Sequence, residues 1–259
     1  MYWNTREVQE LVAELDPART MIFEYTSDTT DEVNNFTNWG LLGKFPWIFG
    51  IFHAYEPANE IRGNYDIIER RLPLAAEDPM CRGLIYWPEC SHTDTLMLDY
   101  MPANAWDPSN VKIDEFLPGF CDRRYMKYPD EMYEVWRKAL PLNVKNLGRL
   151  QIQLKHFEGK IPAAPEVFRM IAALNLNDLD DFIRRDIIDL ARTTVSRVQS
   201  YGFARLALSM EEWRNGKCEA GTVLALLGSI GETVRLEADL LAAHEDYSLY
   251  DALKLLEKK

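Results

Sequence analysis

The stretch IYWPECSHTD, Ile85 to Asp94, brings chemically capable residues closest together in this chain. An apolar run stops at Pro88 and a single carboxylate, Glu89, follows. Cys90, Ser91, His92 and Asp94 crowd in behind it. Metal ligation by Cys90 and His92 lacks further donors. Cys81, Cys121 and Cys218 form no C-x-x-C pair, and His53, His156 and His244 stand at no zinc spacing. Isolated thiols in packed positions account for the cysteines better. A cysteine hydrolase needs Cys and His in contact. Residues two apart rarely face each other on a helix, and no hydrolase signature surrounds this pair. Glu89 is then the group to explain. A carboxylate at a strand end is either chemistry or a helix cap or salt-bridge partner.

The elements that must position it come in strand–helix alternation over the first ~130 residues. Apolar spacing predicts a helix over Arg6 to Leu15, stopped by Asp16-Pro17. TMIFEY (Thr20 to Tyr25), PWIFGIFH (Pro46 to His53) and RGLIYWP (Arg82 to Pro88) read as strands, with a helix from Tyr65 to Leu72 between the last two. Helices are expected over Thr93 to Ala105 and Ile113 to Tyr125. The strands are continuously apolar, the pattern of parallel strands buried on both faces. Each ends in polar residues: Glu24 with Asp28, His53 with Tyr55 and Glu56, Glu89 with Ser91 and His92. Parallel α/β folds bind ligands at these C-terminal strand ends. Glu24 is placed either to orient a ligand or to cap the next turn. Tyr55 and Trp87 offer aromatic faces to a ligand, although a tryptophan within a strand also suits a core.

Beyond about Asp130 the pattern turns helical: Asp130 to Leu140, Pro165 to Leu174, Leu179 to Leu208 with a bend at Gly202, Ala220 to Ala243 and Ser248 to Lys258. Pro141 to Pro165 reads as an irregular connector, with RLQIQLKHF as an extended piece. The expected domains are therefore 1–128, α/β, and 129–259, all-α. A closed barrel needs eight strands and about 250 residues, so three strands make only part of one. They would also leave sheet edges and one face open.

Bulk properties narrow the function. A net charge of −12 opposes a nucleic-acid partner, which needs a basic face. No window of eighteen apolar residues offers a membrane span, and MYWNTREVQE lacks a signal-peptide pattern. Nothing demands a metal or organic cofactor, and the compartment is left open.

Several motifs resemble the α-N-acetylglucosaminidases, glycoside hydrolase family 89, collinearly from about Met21 to Glu257. KFPWIFGIFHAYEPANEIRGNYD, Lys44 to Asp66, resembles the family segment containing H-N-F-G-G-N. MCRGLIYWPECSHTDTLMLDYMPANAW, Met80 to Trp106, shares its P-E followed by A-W at nearly the same spacing. FIRRDIIDLARTTV, Phe182 to Val195, resembles its helical-domain motif. The resemblance implies a partial (β/α)8 barrel of about three βα units with a helical C-terminal domain. It also implies a retaining glycosidase that uses two carboxylates on a carbohydrate substrate. Carried over by motif, Glu89 is the nucleophile, His53 a hydrogen-bond donor to a sugar hydroxyl, and Asn59 a further sugar contact.

Departures from the family are equally concrete. The glycine pair after the histidine is missing, since this chain reads His53-Ala-Tyr-Glu-Pro-Ala-Asn59. The family's acid/base lies in an N-E pair on an earlier strand. The only N-E here, Asn59-Glu60, follows the second strand. By the resemblance the acid/base strand lies upstream of Met1, in a missing N-terminal half of the barrel. The isolated chain is then expected to turn over little substrate. The rival expectation is a non-catalytic protein that binds carbohydrate or a partner through the same strand ends.

Overall fold

The computed structural model describes residues 4–29, 33–53, 60–89, 94–106, 112–143, 150–175, 177 and 179–257. They form two compact units. The first draws on Met1–Asn59, Asn64–Ser91 and Thr95–Phe120, the second on Glu60–Gly63, His92–Asp94 and Cys121–Lys259.

In the first unit, helix α1 (Thr5–Ala13) opens with a capping box. The Asn4 side chain accepts from the Glu7 amide at 3.0 Å and Glu7 returns the bond to the Asn4 amide at 2.8 Å. Strands β1 (Ile22–Glu24), β2 (Trp47–His53) and β3 (Cys81–Pro88) pair in that order, all parallel. Between them lie α2 (Asn35–Asn38), a four-residue helix in what reads as a polar loop, and α3 (Tyr65–Glu77). The sequence suggests that α3 ends at Leu72. Burial of Leu72 and Ala75 on either side of Pro73 overrides the breaker, and the helix runs on to Glu77. Helix α4 (Thr95–Trp106) follows, and then α5 (Ile113–Arg124), which belongs to this unit as far as Phe120 and to the second from Cys121.

The sheet is not buried on both faces, as its continuous apolar runs suggest. Along β2, Trp47, Phe49, Ile51 and His53 are buried, while Ile48 and Phe52 between them are only partly so. On β3, Ile85 and Trp87 are exposed. Phe36 of α2 stacks on Trp47 at 5.0 Å, which seals the buried face there. Gly50 sits where β1 presses closest. A Cβ at this position would stand 2.3 Å from the carbonyl oxygen of Glu24 and 2.5 Å from the Phe23 ring. At the opposite end of the sheet, Asp78 accepts from the amides of Gly43 and Met80, both at 3.0 Å, and from the Trp47 indole at 2.9 Å. Burial pushes its carboxyl up, but these bonds outweigh burial and hold it below the ordinary value.

The second unit holds α6 (Pro129–Asn143), α7 (Leu150–Glu158), α8 (Ala164–Ala172), α9 (Asp181–Arg214), α10 (Ala220–Ala242) and α11 (Leu249–Glu257). The extended piece expected at RLQIQLKHF is instead α7. Its alternation of apolar residues mimics a strand, but Phe157 buries in the helical core and tertiary packing decides the period. Asp180 caps α9, accepting from the Phe182 amide at 2.9 Å. The helix continues unbroken through Gly202, whose missing side chain admits Ile230 of α10. A Cβ there would lie 3.0 Å from the isoleucine. Arg124 reaches buried Asp186 at 2.8 and 3.2 Å, and the Tyr125 hydroxyl joins at 3.2 Å. Burial raises the Asp186 carboxyl, with Arg124 pulling the other way. Among the described residues, no helix is long and apolar enough to cross a membrane.

Candidate functional site

The C-terminal ends of the three strands carry the residues singled out from the sequence. Glu89 is exposed directly after β3. Its amide donates to the carbonyl oxygen of His53 at 3.2 Å, extending the β2–β3 ladder by one bond. Strand pairing therefore sets the backbone position of this carboxylate.

His53 closes β2 and is fully buried, on the same alternation as Trp47, Phe49 and Ile51. Its ring lies against Tyr86 of β3, with centroids 5.4 Å apart. The backbones of His53 and Glu89 are thus joined, while one side chain is buried and the other is exposed.

Glu24 closes β1 four rungs earlier, since it pairs with Phe49 whereas His53 pairs with Pro88. Its carboxylate is buried and well supplied with donors. One oxygen accepts from the Thr26 amide at 2.9 Å, the Thr26 hydroxyl and the Asn35 amide group at 3.0 Å. The other accepts from the Ser27 hydroxyl. Of the two readings open in the sequence, this geometry is that of a carboxylate ordering the turn after its strand. The same turn is tied to α3, because Arg71 donates to the Ser27 carbonyl at 2.9 Å.

Trp87 is 49% exposed and anchors an aromatic patch. Phe23 stacks on it at 6.1 Å with 22° between planes, and Phe52 leans on it at 5.1 Å. Tyr25 meets Phe52 edge-on at 5.9 Å. Four rings from three strands make a surface suited to the C–H face of a sugar. Tyr55 and Asn59 lie outside the described residues, as do Cys90 and His92. Among the described residues, no group of three or more His, Cys, Asp or Glu is gathered to hold a metal.

Sequence reading missed Phe23, Tyr25 and Phe52. Their signal is parity: Phe23 and Tyr25 stand two apart, and Phe52 stands four from Ile48, the other half-buried position of β2. It also missed Asn35, eleven residues from Glu24, and gave no role to Asp94, Asp186, Asp189 or Arg192. The last three interrupt an apolar stripe of α9 at spacing three, an unusual place for charge.

Residues 1–108 are similar to the alpha-N-acetylglucosaminidase (NAGLU) TIM-barrel domain. That span contains the whole parallel sheet, Glu24, His53, Trp87 and Glu89. A glycosidase-like fold for this part of the chain agrees with the three parallel strands and their helices. Neither the curated proteins nor the solved structures yield a match to this chain.

Proposed function

We propose that the C-terminal end of this sheet is the sugar-binding end of a glycoside hydrolase related to the α-N-acetylglucosaminidases, acting with retention. The observation that carries this reading is an exposed carboxylate, Glu89, ending a parallel strand next to an aromatic patch, within the span similar to the NAGLU barrel domain. Glu89 attacks the anomeric carbon and the bond to the leaving oxygen breaks; a second carboxylate, which is not among the residues named here, gives that oxygen its proton and then takes one from the water that hydrolyses the glycosyl ester. Trp87 and Phe23 lie against the sugar's apolar face. Glu24 orders the turn after β1, and the His53 carbonyl sets the start of the Glu89 segment. Tyr55, by its ring, and Asn59 add further sugar contacts.

The test uses an activated aryl α-N-acetylglucosaminide, whose phenolate leaves without protonation. The reaction then depends on the nucleophile and not on a proton donor. A glycosyl adduct on the peptide containing Glu89, found by mass spectrometry and lost in Glu89→Gln, supports the assignment. Binding of the glycoside without any adduct supports the non-catalytic carbohydrate-binding reading instead.

A further inference from the structure

Strand β1 sends alternate side chains to opposite faces of the sheet. Glu24 is buried, while Phe23 and Tyr25 on either side of it are exposed and belong to the ring patch around Trp87. Beyond Glu24 the backbone stays bonded to β2 as far as Ser27. The Phe52 amide donates to the Tyr25 carbonyl at 2.9 Å, and the Ser27 amide donates to the Gly50 carbonyl at 3.1 Å. These two bonds form an antiparallel bridge, Thr26 with Ile51, at the end of a parallel pair. A single bridge of different pattern is a weak continuation of a ladder, so side chains supply the rest of the grip.

That grip comes from two directions. The Ser27 hydroxyl donates to the Glu24 carboxylate, and the Ser27 carbonyl accepts from Arg71 Nη1 at 2.9 Å. One residue on, the Asp28 carbonyl accepts from the Asn64 side chain at 2.9 Å. Asn64 is the N-cap of α3 and Arg71 stands about two helical turns further along it, so both reach the same turn. Both are buried. Ser27 is thus held between a buried anion and a buried cation. A buried arginine is costly unless its donors are used, and Arg71 spends one on this turn.

We propose that Arg71 and Asn64 are positioning residues for the ring wall of the strand-end site. By fixing Ser27 and Asp28 from α3 they hold the segment from Glu24 to Ser27 against β2. With it they hold Phe23 and Tyr25, whose rings project from the other face. Phe23 has little freedom of its own, because it lies over Gly50, where a Cβ would stand 2.5 Å from its ring. The inference rests on the strand ends being the glycoside site, and it adds the helix that sets the shape of the wall. All of these residues lie in the first unit.

NMR on the full 259-residue protein tests the brace. Arg71→Met keeps an apolar stem and removes the guanidinium. The expected result is Ser27 and Phe52 amides exchanging about tenfold faster, with the Glu89 amide of the β2–β3 ladder unchanged. The NOE between the Phe23 and Trp87 rings should weaken. Arg71→Lys, which can still donate to the Ser27 carbonyl, should recover part of both. Asn64→Ala, a smaller cut, should move the same amides in the same direction, and it decides the matter if Arg71→Met does not fold. Unchanged amides and an unchanged ring NOE in both variants overturn the proposal. So does a rise of the Glu89 amide in step with the others, because the loss is then of global stability. The activated aryl glycoside separates this claim from the reading it rests on. Arg71→Met should need more glycoside for half-maximal adduct while the rate at saturation stays the same. An unchanged concentration dependence with the ring NOE lost would show that the brace serves the fold alone, and also overturns the proposal. Neither binding nor adduct in the parent protein removes the glycosidase reading, and with it the site that the wall serves, while the amides still decide whether the brace exists.

Discussion

The amide of Glu89 is bonded to the carbonyl of His53 across 3.2 Å, so the candidate nucleophile is placed by a ladder bond that its own side chain does not make. The carboxylate itself is exposed. Glu89→Gln should therefore leave stability within about 0.5 kcal/mol of the parent while removing adduct formation. Urea denaturation beside mass spectrometry checks both halves. A large loss of stability would assign Glu89 to the fold instead.

Gly50 lies under the end of β1 with no room for a methyl group. The obstructing atoms include the backbone of Glu24 and Tyr25, which cannot rotate away. Gly50→Ala is expected to destabilise the protein by about 1–3 kcal/mol and to loosen the Glu24 turn. The readouts are the urea midpoint and the exchange rate of the Thr26 amide, which donates to Glu24.

Trp87 is half exposed in an aromatic patch, and exposed apolar surface binds hydrophobic dyes and other chains. Trp87→Ser should lower anilinonaphthalene sulfonate fluorescence and weaken glycoside binding. The cost in stability should stay below that of a core tryptophan, which is about 3–5 kcal/mol for removal. Unchanged dye and sugar binding would remove the patch from the site.

Asp78 has a depressed folded-state pKa, against an ordinary value of 3.8. Its contribution is therefore present in full above the ordinary value and is lost as pH falls through the lower folded value. Asp78→Asn puts an amide donor among donors from Gly43, Trp47 and Met80, so it should destabilise at neutral pH. The gap to the parent should narrow below pH 3.8. A gap constant down to pH 2 would mean that the charge does not matter.

Much of the architecture was legible along the chain. β2 and β3 are continuous apolar runs bounded by prolines or polar residues, and α9 and α10 carry apolar stripes at helical spacing. Two of the misread segments share a cause. RLQIQLKHF satisfies a strand period and a helix period over nine residues, and LPLAAE contains a proline that breaks helices elsewhere. In both, packing in the folded unit chose between local options of similar energy.

For the site, the division follows sequence separation. Covalent order alone places Glu24, His53 and Glu89 at the ends of apolar runs, and parallel pairing then brings those ends to one edge of the sheet. Composition cannot say which face of an all-apolar strand is covered, because every position reads alike. The patch around Trp87 therefore appears only once neighbouring strands are in register. Nor can local pattern join Asp94 to Asp189, which stand 95 residues apart. A hydrogen bond between groups that distant in the chain exists only after folding has met the entropy cost of closing the loop between them. The sequence by itself determined which residues stand at the strand ends. The tertiary structure decided which of them are exposed, which are spent on holding turns, and what holds the segments that follow.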